Sequence, residues 1–156
     1  MKKALRAVAA AVIIPLLFGI FGCKKEPEYT VADIKAISIS CGSMDSRQSY
    51  SFRLSHENEE WTLFAECTNS VNEKAIDIQT QVTNDEAEQL LLLVEKSNLT
   101  DKLEKHAKRS DSFFVADKEM YSCAITFSDG RTVCAPISPS FDIEAAFRSL
   151  AEKYGY

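Results

Sequence analysis

The sequence has few of the residues from which catalytic and metal sites are usually built. It contains only two histidines, His56 and His106, and each lies amid charged residues. It has no Cys-x-x-Cys or His-x-x-x-His spacing, so neither a zinc site nor a helical metal pair is indicated. A glycine-rich phosphate loop and a serine nucleophile elbow are also missing. The sequence therefore predicts no cofactor, no metal and no catalytic residue.

Two acidic stretches are the remaining candidates for a site. The run from His56 to Glu60 offers carboxylate oxygens to a Ca²⁺ ion, but it lacks the spacing and the turn glycine of a calcium loop. Asp111, Asp117 and Glu119 are close enough in sequence to pair as a general acid and base, but nothing fixes the distances between them. We interpret the first stretch as a solvated loop and assign no catalytic role to the second.

The one long apolar run is at the N-terminus. Ala7 to Phe21 is uncharged and follows the basic residues Lys2, Lys3 and Arg6. As a helix this run would span roughly 22 Å, short of the roughly 30 Å hydrocarbon core of a bilayer. It is therefore typical of a signal-peptide hydrophobic region and not of a membrane-spanning helix. The Ala-x-Ala site of an ordinary signal peptide is missing, because no alanine occurs between Val12 and Thr30.

The run ends instead in Ile20, Phe21, Gly22 and Cys23, which resemble the lipobox of bacterial lipoproteins. That motif has an aliphatic residue, a small residue, Gly or Ala, and then the lipidated cysteine; Phe21 stands where a small residue is usual. The resemblance implies that Cys23 receives a diacylglycerol, that the chain is cut before it, and that the new amino group is acylated. Two or three acyl chains make a durable membrane anchor. Residues 1–22 are then a signal peptide, 23–30 a lipidated tether and 31–156 a single domain.

The residues after Cys23 bear on localisation. No Asp follows Cys23, so the usual inner-membrane retention signal is missing. The order Cys-x-Lys-Glu, ending at Glu26, is similar to the signal that sends some Gram-negative lipoproteins to the cell surface, although Pro27 replaces a frequent second acid. The resemblance implies a lipid-anchored cell-envelope protein, in the outer membrane if the cell is Gram-negative. A solvated tether without any signal is the alternative.

The folded part is acidic. The whole chain has 18 Lys and Arg against 23 Asp and Glu, and removal of the signal peptide changes the net charge from −5 to −8. A net-negative surface repels nucleic acid and anionic lipid headgroups. We therefore expect no nucleic acid partner, and a membrane partner only through the lipid on Cys23.

Four cysteines remain in the domain, and an even number in an exported protein suggests two disulfides. Cys41 ends the first predicted strand and Cys67 the third, so an up-down-up meander brings both to the same edge. Cys123 and Cys134 fall diagonally on one face of a predicted hairpin. We therefore favour the pairs Cys41–Cys67 and Cys123–Cys134. Other pairings, and buried free thiols, remain as alternatives.

The pattern of apolar residues predicts an α+β domain. Four period-two stretches from Ile34 to Val82 indicate strands with one covered and one wet face. A capping box from Thr83 to Glu86 opens an amphipathic helix that stops near Asn98. Two strands follow around a two-residue type I′ turn at Asp129-Gly130, and a last helix starts after Ser140. The order is ββββαββα, an antiparallel sheet of about six strands with two main helices packed on one face.

Two details of this prediction depend on weaker signals. Leu92 and Leu93 widen the apolar face of the first helix, which indicates that this helix is well buried. The stretch from Leu99 to Arg109 has a weaker pattern and is either helical or irregular.

Phe64 is the residue that indicates an interaction surface. It breaks the polar parity of the third strand and places a large ring on the wet face, whereas Trp61 is in phase with Leu63 and belongs to the core. Exposed aromatic side chains mark interaction sites more often than chance, and a single one on a surface is also normal. An acidic domain without catalytic groups favours a non-catalytic protein-binding or inhibitory module. An envelope structural or assembly accessory is the alternative, and a hydrolytic enzyme is a third reading.

Overall fold

The structure, a computed structural model, describes residues 29–42, 49–68, 76–108 and 120–155. The predicted signal peptide, Cys23, and the acidic residues Asp111, Asp117 and Glu119 lie outside these ranges. A short 3-10 turn (Val31–Asp33) precedes the first strand. The strands are β1 (Ile34–Gly42), β2 (Ser49–Glu57), β3 (Glu60–Thr68), β4 (Ile76–Val82), β5 (Met120–Phe127) and β6 (Thr132–Ala135). The helices are α1 (Asn84–Lys96), α2 (Leu99–Ala107) and α3 (Phe141–Lys153).

The six strands form one antiparallel sheet in the order β4-β3-β2-β1-β5-β6. The first four strands are a meander, and the β5–β6 hairpin is added at the free side of β1. The predicted α+β class and the six strands are confirmed. The structure adds α2, where the sequence left a choice between helix and irregular chain. Leu99 and Leu103, four residues apart, are both buried and hold this helix to the core.

The core lies between one face of the sheet and the helices. Phe147 of α3 stacks on Phe52 of β2 with ring centroids 5.8 Å apart, and both side chains are fully buried. On α1 the predicted apolar positions are buried, namely Ala87, Leu90, Leu91 and Val94. Leu92 is 51% exposed, so the apolar face of α1 is narrower than predicted. The buried cluster runs from Ile34 to Ala151, and this segment therefore contains its own core.

A two-residue turn joins β2 to β3. Asn58 and Glu59 have φ values of 52° and 67°, and Glu57 pairs with Glu60 across the turn. Two successive positive φ values are the mark of a type I′ turn, which suits the twist of a hairpin. The solvated loop predicted from His56 to Glu60 is thus shorter than expected. The turn was not predicted from the sequence because glutamate replaces the glycine usual at its second position.

Replacing Glu59 by glycine should stabilise the protein. A non-glycine residue in the left-handed region is strained, and glycine relieves the strain at the cost of some unfolded-state entropy. We expect Glu59→Gly to raise the free energy of unfolding by about 0.5–1 kcal/mol, measured by urea denaturation. Glu60→Gly, one residue later in β3, is the control and should destabilise. A loss of stability in Glu59→Gly would show that the turn carries no such strain.

The predicted capping box at the start of α1 is present, and its Glu86 also accepts hydrogen bonds from two residues at the end of α3. The backbone N–H of Thr83 donates to Glu86 Oε2 at 2.8 Å, and the backbone N–H of Glu86 donates to Thr83 Oγ1 at 3.3 Å. Lys153 Nζ donates to Glu86 Oε1 at 2.6 Å, and the Tyr154 hydroxyl donates to Glu86 Oε2 at 2.9 Å. These bonds, with Lys153 contributing most and Thr83 next, lower the pKa of Glu86 from 4.5 to about 2.

The stabilisation by Glu86 should depend on pH. Because the pKa is depressed in the folded state, the ionised carboxylate stabilises the fold above about pH 4.5, and this contribution is lost as the pH falls towards 2. We expect Glu86→Gln to cost about 1–2 kcal/mol at pH 7 and progressively less between pH 5 and pH 2. Urea denaturation at several pH values measures the difference. Glu88→Gln, exposed on the same helix, is the control; a pH-independent difference for Glu86→Gln would contradict the assignment.

Tyr29 fixes the start of the described chain to one end of the sheet. Its ring stacks on Phe127 with centroids 4.1 Å apart, and its hydroxyl donates to Asp129 Oδ2 at 2.6 Å. The Arg131 guanidinium lies 5.0 Å from the centre of the same ring. We call this end of the sheet, where β1 starts, the entry end. The β2–β3 and β5–β6 turns are also at the entry end.

The opposite end of the sheet is the distal end. There β1 and β3 finish, and β2, β4 and β5 begin. Residues 43–48, 69–75 and 109–119 each connect to a strand at this end. The two short turns therefore lie at the entry end, and the strands that follow the longer connections begin at the distal end.

Candidate interaction surface

The face of the sheet opposite the core, here called the outer face, carries mostly short side chains. Its members on β1, β2 and β5 include Ser38, Ser40, Ser51, Ser122, Ala124 and Thr126. Most outer-face side chains are exposed or half-exposed, with Ala36 and Ser55 as the buried exceptions. In the described part of the chain the helices bury the other face. The outer face is therefore a flat, hydroxyl-rich surface open to solvent.

One row of cross-strand neighbours crosses the whole outer face. From β4 to β6 it consists of Gln79, Phe64, Arg53, Ser38, Ala124 and Cys134. Phe64 lies on the wet face, where its parity predicted it, and is half-buried. Arg53, its direct neighbour on β2, is exposed. The largest side chains of the row thus stand side by side on an otherwise flat surface.

Two carboxylates lie next to this pair, one step towards the distal end. Glu66 on β3 pairs directly with Asp77 on β4, and both are exposed. Like charges directly opposite each other in a sheet are destabilising. A partner with a cationic group beside an apolar one would pair with these carboxylates and cover the Phe64 ring. The surface around Phe64 therefore suits a partner of that chemistry.

The predicted Cys41–Cys67 disulfide is wrong. The two residues lie at the same edge, as expected, but β2 runs between β1 and β3, and Tyr50 pairs with both cysteines. Two strand spacings separate their Cα atoms by roughly 9–10 Å, beyond the roughly 7 Å limit of a disulfide. Both are buried thiols, an alternative that the sequence left open.

The predicted Cys123–Cys134 disulfide is also wrong, because the two residues lie on opposite faces of the β5–β6 hairpin. Cys134 pairs with Ala124 and is exposed on the outer face. Cys123 is fully buried in the core, where its sulfhydryl donates to the Ile137 carbonyl at 3.2 Å. Burial raises the pKa of the Cys123 thiol to about 12.

The length of the β5–β6 turn explains this error. The backbone N–H of Phe127 donates to the Arg131 carbonyl at 2.8 Å, so the loop contains three residues, Ser128 to Gly130. Gly130 has a φ of 86°, but Asp129 is not left-handed as a type I′ turn requires. Ile125 therefore pairs with Val133 and not with Cys134. A shift of one residue moves every following side chain to the other face.

A polar group buried near the distal end was missed by sequence reasoning. Tyr50 lies under α3, where the Arg148 guanidinium stands 4.7 Å from its ring centre and is itself paired with Glu144 at 2.9 Å. The Tyr50 hydroxyl is buried and, among the described residues, meets no hydrogen-bond partner of ordinary geometry. Burial, and next the nearby Glu144 carboxylate, raise the pKa of Tyr50 well above 10. Alternation identified Tyr50 as inward-facing but could not name its neighbours on α3.

The remaining candidates from the sequence do not come together as a site. His56 stacks on Trp61 with ring centroids 4.6 Å apart, and Trp61 is buried as predicted. Within residues 29–42, 49–68, 76–108 and 120–155, no group of three or more His, Cys, Asp or Glu side chains is arranged to hold a metal ion. The helices of the same ranges include none with the length and apolar character needed to cross a membrane.

Comparisons with protein-family models, with curated proteins and with solved structures found no match to this chain.

Proposed function

We propose that this protein is a lipid-anchored, non-catalytic binding module of a bacterial cell envelope, and that it engages a protein partner through the outer face around Phe64. The observation that carries the binding role is the combination of a sheet face that no described helix covers, an aromatic ring on it, and two exposed carboxylates, Glu66 and Asp77, beside the ring. The anchor rests on the resemblance of Ile20 to Cys23 to a lipobox.

The described core is compatible with a cut before Cys23. Five residues separate Cys23 from Tyr29, and Tyr29 packs against the described core. A cut before Cys23 would therefore leave every described core contact in the mature chain.

Mass spectrometry of the protein purified from its own membrane tests the anchor. The expected N-terminal peptide begins at Cys23 and carries two or three acyl chains. Cys23→Ser should abolish the acyl mass and release the protein from the membrane fraction. An unmodified Cys23 in the native protein would overturn the anchor.

The partner should present an apolar side chain with a basic group next to it. Phe64 offers the apolar contact, and the Glu66–Asp77 pair offers negative charge within two residues of it. Arg53 lies on β2, on the side of Phe64 away from Asp77, and adds a positive charge. The surface therefore selects partners by the arrangement of their charged groups and not by net charge alone.

Photo-crosslinking in the native envelope tests the binding role. A photoreactive amino acid at position 64 should give a discrete protein adduct, and Asp77→Lys in the same chain should remove that adduct. The same amino acid at Glu88, exposed on α1, is the control and should give none. Equal adducts from both positions, or an adduct insensitive to Asp77→Lys, would contradict the proposal.

A further inference from the structure

We infer that two copies of this chain pair through their β4 strands, antiparallel and centred on Gln79, so that their two sheets join into one. The surface is the backbone edge of β4, and the occupant is a second copy of the same chain. The inference depends neither on the lipid anchor nor on the partner proposed at Phe64.

The strand β4 forms one edge of the sheet. Within the described ranges it pairs with β3 alone and is the first strand of the sheet order. Alternate residues of an antiparallel strand direct both backbone N–H and C=O to the same side. About half of the residues of β4 therefore direct these groups away from β3. A row of such groups is a template for a further strand.

The sequence of β4 lacks the features that usually protect a sheet edge. From Ile76 to Val82 it contains no proline, glycine or lysine, and its pairing with β3 runs in an unbroken register. The other edge strand, β6, has only four residues, is followed directly by Pro136, and has α2 packed against it. Of the two edges, β4 is therefore the one suited to pairing.

The sequence of β4 is complementary to itself. In an antiparallel register centred on Gln79, all seven residues of the strand have an opposite residue in the second copy. The opposed pairs are Gln79 with Gln79, Ile78 with Thr80, Asp77 with Gln81, and Ile76 with Val82. A register centred on Asp77 would instead oppose two like charges and leave part of the strand unpaired.

The register centred on Gln79 keeps the charges of β4 apart. Asp77 is the only charged residue of the strand. The Asp77 residues of the two copies would lie roughly 14 Å apart, which exceeds the Debye length of about 8 Å at physiological ionic strength. Repulsion between these two carboxylates therefore does not oppose the pairing.

Gln81 gives each Asp77 a neutral donor as its new neighbour. The side-chain amide of Gln81 already donates one hydrogen bond to Glu60 Oε2. A primary amide has two N–H groups, so a second one is left for Asp77 of the other copy. Within its own chain Asp77 faces only the Glu66 carboxylate across the ladder. The second copy thus supplies the hydrogen-bond donor that this side chain's partner on β3 does not.

The inner side of β4 also gains from the pairing. Ile78 packs on the core but is only half-buried, and Thr80 is half-buried as well. The register places Ile78 of each copy against Thr80 of the other, so the pairing covers apolar surface that a single copy leaves in water. β-branched residues opposed in this way stabilise a sheet.

The pairing would make the outer face bivalent. Phe64 lies beside Gln79 in the row that crosses the sheet. Joining the two rows at Gln79 places the two Phe64 positions three strand spacings apart, roughly 14 Å, on the same side of one continuous sheet. Two identical surfaces held together bind a repeated partner more tightly than one surface does.

Disulfide crosslinking between introduced cysteines tests the pairing. The full-length chain with Cys134→Ser is produced in its own cells with either Gln79→Cys or Gln81→Cys, and the cells are treated with copper phenanthroline. Two cysteines at position 79 would be directly opposite, with Cα atoms about 4.5–5.5 Å apart and within reach of a disulfide. Two cysteines at position 81 would be roughly 14 Å apart, so this variant is the matched control.

The expected result is a disulfide-linked product of twice the chain mass from Gln79→Cys, at least tenfold more abundant than from Gln81→Cys. Equal amounts from both variants would indicate random collision. No product from Gln79→Cys would mean that the strands do not pair in this register, and a product of another mass would mean that a different protein occupies the edge. Each of these three results overturns the inference.

A lysine on the two-fold axis gives a second test. A chain with both Asp77→Cys and Gln81→Cys should form the same product, because these positions oppose each other in the two copies. Adding Gln79→Lys places two like charges opposite each other and should lower the yield at least tenfold. Gln89→Lys, exposed on α1, is the control and should leave the yield unchanged. An unchanged yield with Gln79→Lys would contradict an axis at Gln79.

Discussion

Cys134 should be the one fast-reacting thiol of the folded domain. It is exposed on the outer face of the edge strand β6, whereas Cys41, Cys67 and Cys123 are 6%, 4% and 0% exposed. A disulfide reagent attacks a thiolate that it can reach, so a buried thiol reacts only when the structure opens around it. Each 1.4 kcal/mol of opening free energy slows this reaction tenfold, and the difference from Cys134 should therefore reach several orders of magnitude. For Cys123 the raised pKa slows the reaction further.

Thiol counting with DTNB measures this difference. Residues 24–156 should show one thiol within minutes in native buffer and four in guanidinium chloride. Cys134→Ser should remove the fast thiol and leave three slow ones. If the unfolded protein instead showed no thiols until it was reduced, the predicted disulfides would be restored and the register of the β5–β6 hairpin would be wrong.

Truncation of Phe147 should be among the most destabilising single changes in the described core. Its ring is fully buried between α3 and the sheet and stacks on Phe52 with an interplanar angle of 11°. Removing a buried phenyl ring loses its transfer free energy and leaves a cavity that the neighbouring side chains fill only in part. We expect Phe147→Ala to lower the free energy of unfolding by about 3–5 kcal/mol, and the midpoint of urea denaturation with it.

The same helix provides a matched control. Phe141, at the first turn of α3, is 85% exposed. Phe141→Ala removes the same atoms from the surface and should change the stability by no more than about 0.5 kcal/mol. Similar losses in the two variants would mean that α3 does not dock on the sheet through the face that contains Phe147.

The candidate surface was predictable only in part. Alternation along β3 placed Phe64 on the wet face, because successive side chains of a strand point to opposite sides whatever the neighbours are. The neighbours of Phe64 were not predictable. Arg53 reaches it through a pairing that depends on the length of the β2–β3 turn, and that length is set by the positive φ values of Asn58 and Glu59. Glu59 stands where glycine is usual, so the sequence did not show this turn. Asp77 lies beside Phe64 only because β4 pairs with β3 in this register.

The cysteines show more clearly that local sequence patterns do not predict which residues become neighbours in the sheet. Their number and export context favoured disulfides, and their positions at strand ends favoured a shared edge. What decided against Cys41–Cys67 was the strand that runs between them, and against Cys123–Cys134 a single additional turn residue. The first is a property of the strand order. The second is a property of the pairing register, in which a shift of one residue moves a side chain between the core and the solvent.

The sequence by itself determined the α+β class, the six strands, the capped starts of α1 and α3, and the identity of most core residues. These follow from local causes, namely the period of the apolar residues and the side chains that satisfy free backbone groups at helix ends. The lipobox and its implied anchor at Cys23 are also local and stay a prediction. Only the tertiary structure decided the register of the hairpins, the burial of three thiols, and the joining of Glu86 to Lys153. Those contacts link residues far apart in the chain, and no local pattern encodes which distant side chain completes them.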